Sequence, residues 1–219
     1  SSASPIPSDA VLLFDGTTLD AWEDGQGWSV ADGVATVGSK PIRSKQGFGD
    51  CHLHVEFRTP APAVGRGQGR GNSGVFLMGL YEIQVLDSYE DGTDAPLTYP
   101  DGQCGALYKQ QPPAVNACRR PGEWQTFDIL FTRPRFESDG SLISPARVSV
   151  LHNGVAIHID TVVKGPTAWH MPPRYAKHPD ALPVMLQDHG NPVQFRSIWV
   201  RPFEPIAPTT IARETISAK

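Results

Sequence analysis

Residues 81–89 read YEIQVLDSY, an alternating run with an acid near each end. Side chains two apart on a strand share a face. Glu82, Gln84 and Leu86 therefore point one way, and Tyr81, Ile83, Val85 and Asp87 the other. Ile83 and Val85 belong in a core, so Glu82 and Gln84 face the opposite surface, a cleft floor if the sheet is concave. Asp87 has the core parity but ends the strand, where a structural role is the expectation. A second cluster is LQDHGNP, residues 186–192, which crowds Gln187, Asp188, His189 and Asn191 into one loop edge. Histidine transfers protons near neutral pH and ligates metals. The competing reading is a turn whose Asp and Asn bond the local backbone, with His189 merely exposed. His52 and His54 share a strand face with Glu56, and His-x-His can offer two nitrogens to one metal. With no further ligand nearby, an exposed face is expected there. The loop from Gly65 to Ser73 holds Arg66, Arg70, Asn72 and Ser73. It opens a strand rather than a helix and lacks a Lys-Ser/Thr ending, which excludes a nucleotide loop. A lid that carries Arg70 over a polar substrate fits better. Tyr108, Lys109 and Gln110 add further donors.

These residues must be positioned by strands. Turn signals recur about every ten residues. GWSVADGVATVG is two β-rich runs around Asp32-Gly33, and ARVSVLHNGVAIHID a second hairpin around Asn153-Gly154. DCHLHVEFRTP sets Leu53, Val55 and Phe57 on one face and stops at Pro60; EWQTFDILF does the same with Phe127, Ile129 and Phe131. LPVMLQDHGNPVQFRSIWVRP supplies two more strands. No window shows a sustained 3.6-residue period. Many short antiparallel strands in one chain imply an all-β, two-sheet antiparallel β-sandwich or jelly roll. The expected organisation is an N-terminal segment at 1–10, a jelly-roll domain at 11–202 and a C-terminal tail at 203–219.

Composition narrows the function. The 219 residues are 39% hydrophobic, with 21 Gly and 21 Pro, suited to strands joined by turns. A net charge of −4 gives no electrostatic reason for a nucleic-acid partner, and no apolar run is long enough for a membrane span. The start, SSASPIPSDA, reads as the processed end of an exported chain, periplasmic or extracellular, or as an arbitrary boundary. Cys104 and Cys118 flank a Pro-rich loop and could close it as a disulfide; three unpaired thiols, with Cys51, is the equal alternative. Five Trp residues suggest sugar stacking without deciding it: Trp124 and Trp199 lie in strand patterns, while Trp22, Trp28 and Trp169 are less determined.

Five segments, LFDGTTLDAW, NSGVFLMGLYEIQVLDSY, PGEWQTFDILFTRPRF, ARVSVLHNGV and LQDHGNPVQFRSIWVRP, stand in an order that resembles the 3-keto-disaccharide hydrolase family, also described as 3-keto-glucoside lyases and hydratases. The likeness covers residues 11–202. It implies a concanavalin-like jelly roll, exported in bacteria and acting on sugars oxidised at C3. YEIQVLD is also similar in placement to the acid-bearing strand of laminarinase-type glycosidases. Those carry acids at i, i+2 and i+4, whereas this chain has Glu82, Gln84 and Leu86, so a retaining double-carboxylate mechanism loses its second acid. A 3-keto group instead acidifies C2–H and allows elimination of the C1 substituent, with hydration giving net hydrolysis. The resemblance makes a divalent metal plausible and implies no nucleotide or organic cofactor. The roles then expected are Glu82 or His189 as base, with a metal held between them. Gln84, Asn72 and Gln187 would orient the sugar, and Arg70 and Lys109 would stabilise the enolate or leaving group. A non-catalytic carbohydrate-binding module and a conventional glycosidase on unoxidised glucan are the alternatives; oligomeric state is open.

Overall fold

The short β-rich runs become fifteen strands in a computed structural model that describes residues 6–90 and 98–203. In chain order these are β1 (Val11–Phe14), β2 (Trp22–Glu23), β3 (Ser29–Ala31), β4 (Val34–Thr36) and β5 (Ile42–Phe48). β6 (Cys51–Arg58), β7 (Ser73–Leu77), β8 (Tyr81–Val85) and β9 (Gln125–Thr132) follow. Next come β10 (Arg135–Phe136), β11 (Leu142–Ser144) and β12 (Arg147–His152). β13 (Val155–Val162), β14 (Leu182–Leu186) and β15 (Gln194–Pro202) complete the series. Among the described residues helical turns are limited to three 3-10 segments, and no helix is long and apolar enough to cross a membrane.

The larger sheet runs β13-β12-β9-β6-β15-β4-β3, with β1 also paired to β15; the smaller runs β2-β5-β14-β7-β8. β10 and β11 form a separate ribbon. Every pairing is antiparallel. The protein is an all-β two-sheet sandwich of the jelly-roll kind. Both expected hairpin turns are present: Asp32-Gly33 and Asn153-Gly154 all have positive φ, the geometry that suits the twist of a two-residue hairpin.

The core lies where the inner faces meet. Leu53, Val55 and Phe57 of β6 and Phe127, Ile129 and Phe131 of β9 are buried there, as the alternation predicted. Tyr81, Ile83 and Val85 of β8 enter the same core from the smaller sheet. Burying aliphatic and aromatic side chains of this size stabilises a domain by roughly 1.5–3 kcal/mol each.

The second face of β6 corrects an expectation. His54 and Glu56 are buried rather than exposed. Trp199 of β15 stacks on the His54 ring at 5.0 Å, Asp128 of β9 meets His54 Nδ1 at 2.7 Å, and Arg196 donates to Glu56 Oε2 at 2.6 Å. The outer face of the large sheet is thus closed by its own polar and aromatic side chains. The described strands span Val11 to Pro202. The tail at 203–219, apart from Phe203, falls outside the described residues.

Candidate active site

β7 and β8 form a hairpin in the smaller sheet, turning at Met78-Gly79 with positive φ at both. Their register sets Gly74 against Gln84 and Phe76 against Glu82. These four residues share the face opposite Ile83 and Val85, and that face is the floor of a cavity of about 690 Å³. This volume lies within the usual range for a small-molecule site. Gly74 is required by close approach. A Cβ there would stand 2.5 Å from the Glu82 carboxylate and 2.8 Å from the Phe76 ring. The acid therefore lies across the space that a side chain at position 74 would fill.

Glu82 is only 3% exposed. Its backbone N–H donates to Thr167 Oγ1 at 3.0 Å, and its carbonyl accepts the Tyr108 N–H at 3.2 Å. Burial penalises the carboxylate and pushes its pKa up to about 8. Gln84 Nε2 donates to Gln68 Oε1 at 2.9 Å, and Asn72 Nδ2 donates to the Gln68 carbonyl at 2.6 Å. Gln68 Nε2 in turn holds Thr98 Oγ1 and the Gly102 carbonyl, at 2.7 and 2.9 Å. The amide side chains thus form a connected floor rather than separate contacts.

The chain after β14 closes another side. Gln187 N–H donates to the Gly74 carbonyl at 3.0 Å, and Ser73 Oγ donates to the Gln187 carbonyl at 2.6 Å. Gly190 N–H bonds Asp188 Oδ1 at 2.8 Å, which makes the turn expected of Asp-x-Gly, and that turn presents His189 at the cavity edge. Asp188 thus shapes the turn of LQDHGNP, and His189, itself exposed, lines the cavity.

The third wall is aromatic. The Tyr99 and Tyr108 hydroxyls meet at 2.7 Å, and Lys109 Nζ sits 3.5 Å from the Tyr99 ring centroid. Burial, then the bond to Tyr99, raises the Tyr108 pKa, so its phenol keeps its proton through the neutral range. Trp169 also lines the cavity yet is 66% exposed, a flat apolar face at the rim.

The cavity brings together Glu82, His189, Asn72, Gln84 and Gln187, five of the residues singled out from sequence. Arg70 and Lys109 are not among its lining residues. Arg70 Nε is committed to buried Asp87 at 2.6 Å, and the Arg70 carbonyl accepts the Asp87 N–H, so this arginine secures the end of β8. Lys109 acts on the ring behind the wall. Gln68 and Asn72, not Arg70, are the Gly-rich loop's contribution. Tyr108 stood in the sequence only as a further donor and Trp169 as an undetermined aromatic, while Gln68, Phe76, Tyr99 and Thr167 went unassigned. Phe76 alone had an available signal, as the cross-strand neighbour of Glu82 in a short hairpin.

A metal can be tested against these donors. Among the described residues no group of three or more His, Cys, Asp or Glu is gathered for an ion. The cavity nonetheless offers one carboxylate and one imidazole beside two amide oxygens, Gln84 Oε1 and Gln187 Oε1. Both of those oxygens are buried without a hydrogen-bond partner. Buried acceptors are normally satisfied, and oxygen-rich sets with one imidazole suit divalent cations. The donor chemistry fits.

A family model described as the 3-keto-alpha-glucoside-1,2-lyase-like domain matches residues 9–201. A crystal structure of a candidate glycosyl hydrolase from Parabacteroides distasonis is 41% identical, covers 93% of this chain and 94% of its own, and superposes with a TM-score of 0.83. Two further candidate glycosyl hydrolases from the same organism share the fold at a TM-score of 0.64 each. They are 23% and 20% identical, with 89% and 90% of this chain and 99% and 94% of theirs covered. No curated protein matches the chain.

Proposed function

We propose a function from one premise: the chain belongs to the 3-keto-alpha-glucoside-1,2-lyase-like family, a carbohydrate-active, glycosyl-hydrolase-like group. The cavity cleaves glycosides whose sugar is oxidised at C3, by base-initiated elimination across C2 and C1. The observation that carries this reading is the single carboxylate, Glu82, among the described residues lining the cavity. Ordinary glycosidases need two carboxyl groups about 5–9.5 Å apart across the scissile bond. Elimination needs one base, a stabilised enolate and one acid.

The ketone at C3 acidifies the hydrogen on C2. Ionised Glu82 accepts that proton; burial makes it a stronger base than an exposed carboxylate and brings its pKa close to working pH. The Tyr108 phenol, kept protonated, donates to the glycosidic oxygen as the C1–O bond breaks. Asn72, Gln84 and Gln187 hold the sugar hydroxyls, His189 closes the edge, and Trp169 offers a stacking face for the ring or aglycone. Water adding back across the double bond gives net hydrolysis. A divalent cation held by Glu82, His189 and the free amide oxygens would supply electrophilic stabilisation of the 3-keto and 2-hydroxy oxygens.

Incubation with a 3-keto-disaccharide and with its unoxidised parent, each with and without chelator, tests the reading. Cleavage of the keto form alone is expected, falling on chelation and restored by a divalent cation. Tight binding without turnover under metal-replete conditions would make the domain a binding module. Equal cleavage of the parent sugar would make it a conventional glycosidase.

A further inference from the structure

Cys104 and Cys118 stand as thiols beyond the end of β8, outside the cavity lining. Both are fastened to the stretch that follows β8, Leu86 to Ser88. Cys104 N–H donates to Ser88 Oγ at 3.1 Å, and Cys118 Sγ lies 3.7 Å from the Leu86 carbonyl. Asn116 locks the approach of Cys118: its Nδ2 donates to the Ser88 carbonyl at 2.7 Å, and its Oδ1 receives the Cys118 N–H at 3.2 Å. The two cysteines are thus held against one short segment, Leu86 to Ser88, from opposite ends of their loop. Cys104 is fully buried, whereas Cys118 is partly exposed. Cys51 lies buried on β6, and burial pushes its thiol up to about 12.

We propose that Cys104 and Cys118 are a dithiol site that closes to a disulfide when a small-molecule disulfide such as oxidised glutathione reaches Cys118. Cys118, the more exposed of the two, attacks as its thiolate. That thiolate forms a bond to one glutathione sulfur, the oxidant's S–S bond breaks, and one glutathione thiolate leaves. Cys104 gives its proton to this departing thiolate and attacks Cys118, expelling the second glutathione thiolate, which takes a proton from water. The two cysteines together lose two electrons and two protons, and the oxidant becomes two thiols.

The clasped loop carries part of the cavity wall. Gly105 N–H donates to the Gln84 carbonyl at 2.8 Å, Leu107 bridges Ile83, and Tyr108 N–H meets the Glu82 carbonyl. Residues 105–108 therefore run as a neighbour of β8, and a bond from Cys104 to Cys118 fixes both ends of the segment that holds Tyr108. Closing a loop of about 15 residues in the unfolded chain predicts a Tm rise of roughly 6–12 °C on oxidation.

The test uses the full chain treated with oxidised glutathione, then alkylated under denaturing conditions and mapped by mass spectrometry. The proposal expects a linked Cys104–Cys118 peptide pair, Cys51 still alkylated, and a Tm rise that reductant reverses. A Cys104→Ser/Cys118→Ser variant should show no redox-dependent Tm. Reduced against oxidised wild-type protein decides the matter even if that variant folds poorly. Full alkylation of all three cysteines after oxidation, or a bond through Cys51 or between molecules, overturns it.

Discussion

Glu82→Gln separates chemistry from stability in one substitution. The carboxyl is buried, and its pKa rises from an ordinary 4.5 to about 8. At 1.36 kcal/mol per pH unit, keeping it ionised in the fold costs roughly 5 kcal/mol once the pH exceeds 8, and roughly 3 kcal/mol at pH 7. The sign follows from linkage. Below pH 4.5 the acid is protonated folded and unfolded, so nothing is lost. Between 4.5 and 8 the unfolded chain releases a proton that the folded protein retains, and stability falls as pH rises. Glutamine has the same shape and does not titrate. Thermal melts of both proteins from pH 4 to 9, in chelator, should coincide near pH 4 and then diverge. The variant should melt higher by roughly 6–12 °C at pH 7, with the gap level above pH 8. Turnover of a 3-keto-disaccharide should fall at least ~100-fold, as expected for loss of a catalytic base. Parallel melting curves would refute the burial argument, and full turnover would remove Glu82 from the chemistry.

Gly74→Ala sets a methyl 2.5 Å from the Glu82 carboxylate; displacing the acid should cut kcat by about 100-fold at a stability cost of only ~1–3 kcal/mol, read by kinetics and melts together. Tyr108→Phe should lower kcat ~100-fold on alkyl 3-keto-glycosides and far less on nitrophenyl ones, whose leaving group needs no proton. Arg70→Ala strips buried Asp87 of its 2.6 Å partner. Denaturant melts should show a loss of about 3 kcal/mol with KM nearly unchanged; a large KM rise with unchanged stability would return Arg70 to the substrate.

The strand period of two was enough to separate Glu82 and Gln84 from Ile83 and Val85, because a one-residue slip would bury the wrong set. The core strands were legible for the same reason. Asn72, Gln187 and His189 lie just outside strands β7 and β14, and a chain entering or leaving a sheet beside the acid was a sound place to look. Arg70 misled because its charge in a Gly-rich loop suggests a mobile lid, whereas its partner Asp87 lies 17 residues away across the hairpin. The burial of His54 and Glu56 depends on Trp199 and Arg196 of β15, some 140 residues on. The aromatic wall is the least legible part: Tyr99, Tyr108, Thr167 and Trp169 come from loops without period, and only the folded chain gathers them.

In the proposed reaction, cleavage begins with removal of the C2 hydrogen. That step is tested most directly with a 3-keto-disaccharide deuterated at C2, compared with the protio substrate under saturating conditions. Slower cleavage of the deuterated sugar is expected, with loss of deuterium from C2 in the released ring and no cleavage of the unoxidised parent. Cleavage at equal rates with deuterium fully retained at C2 would contradict it.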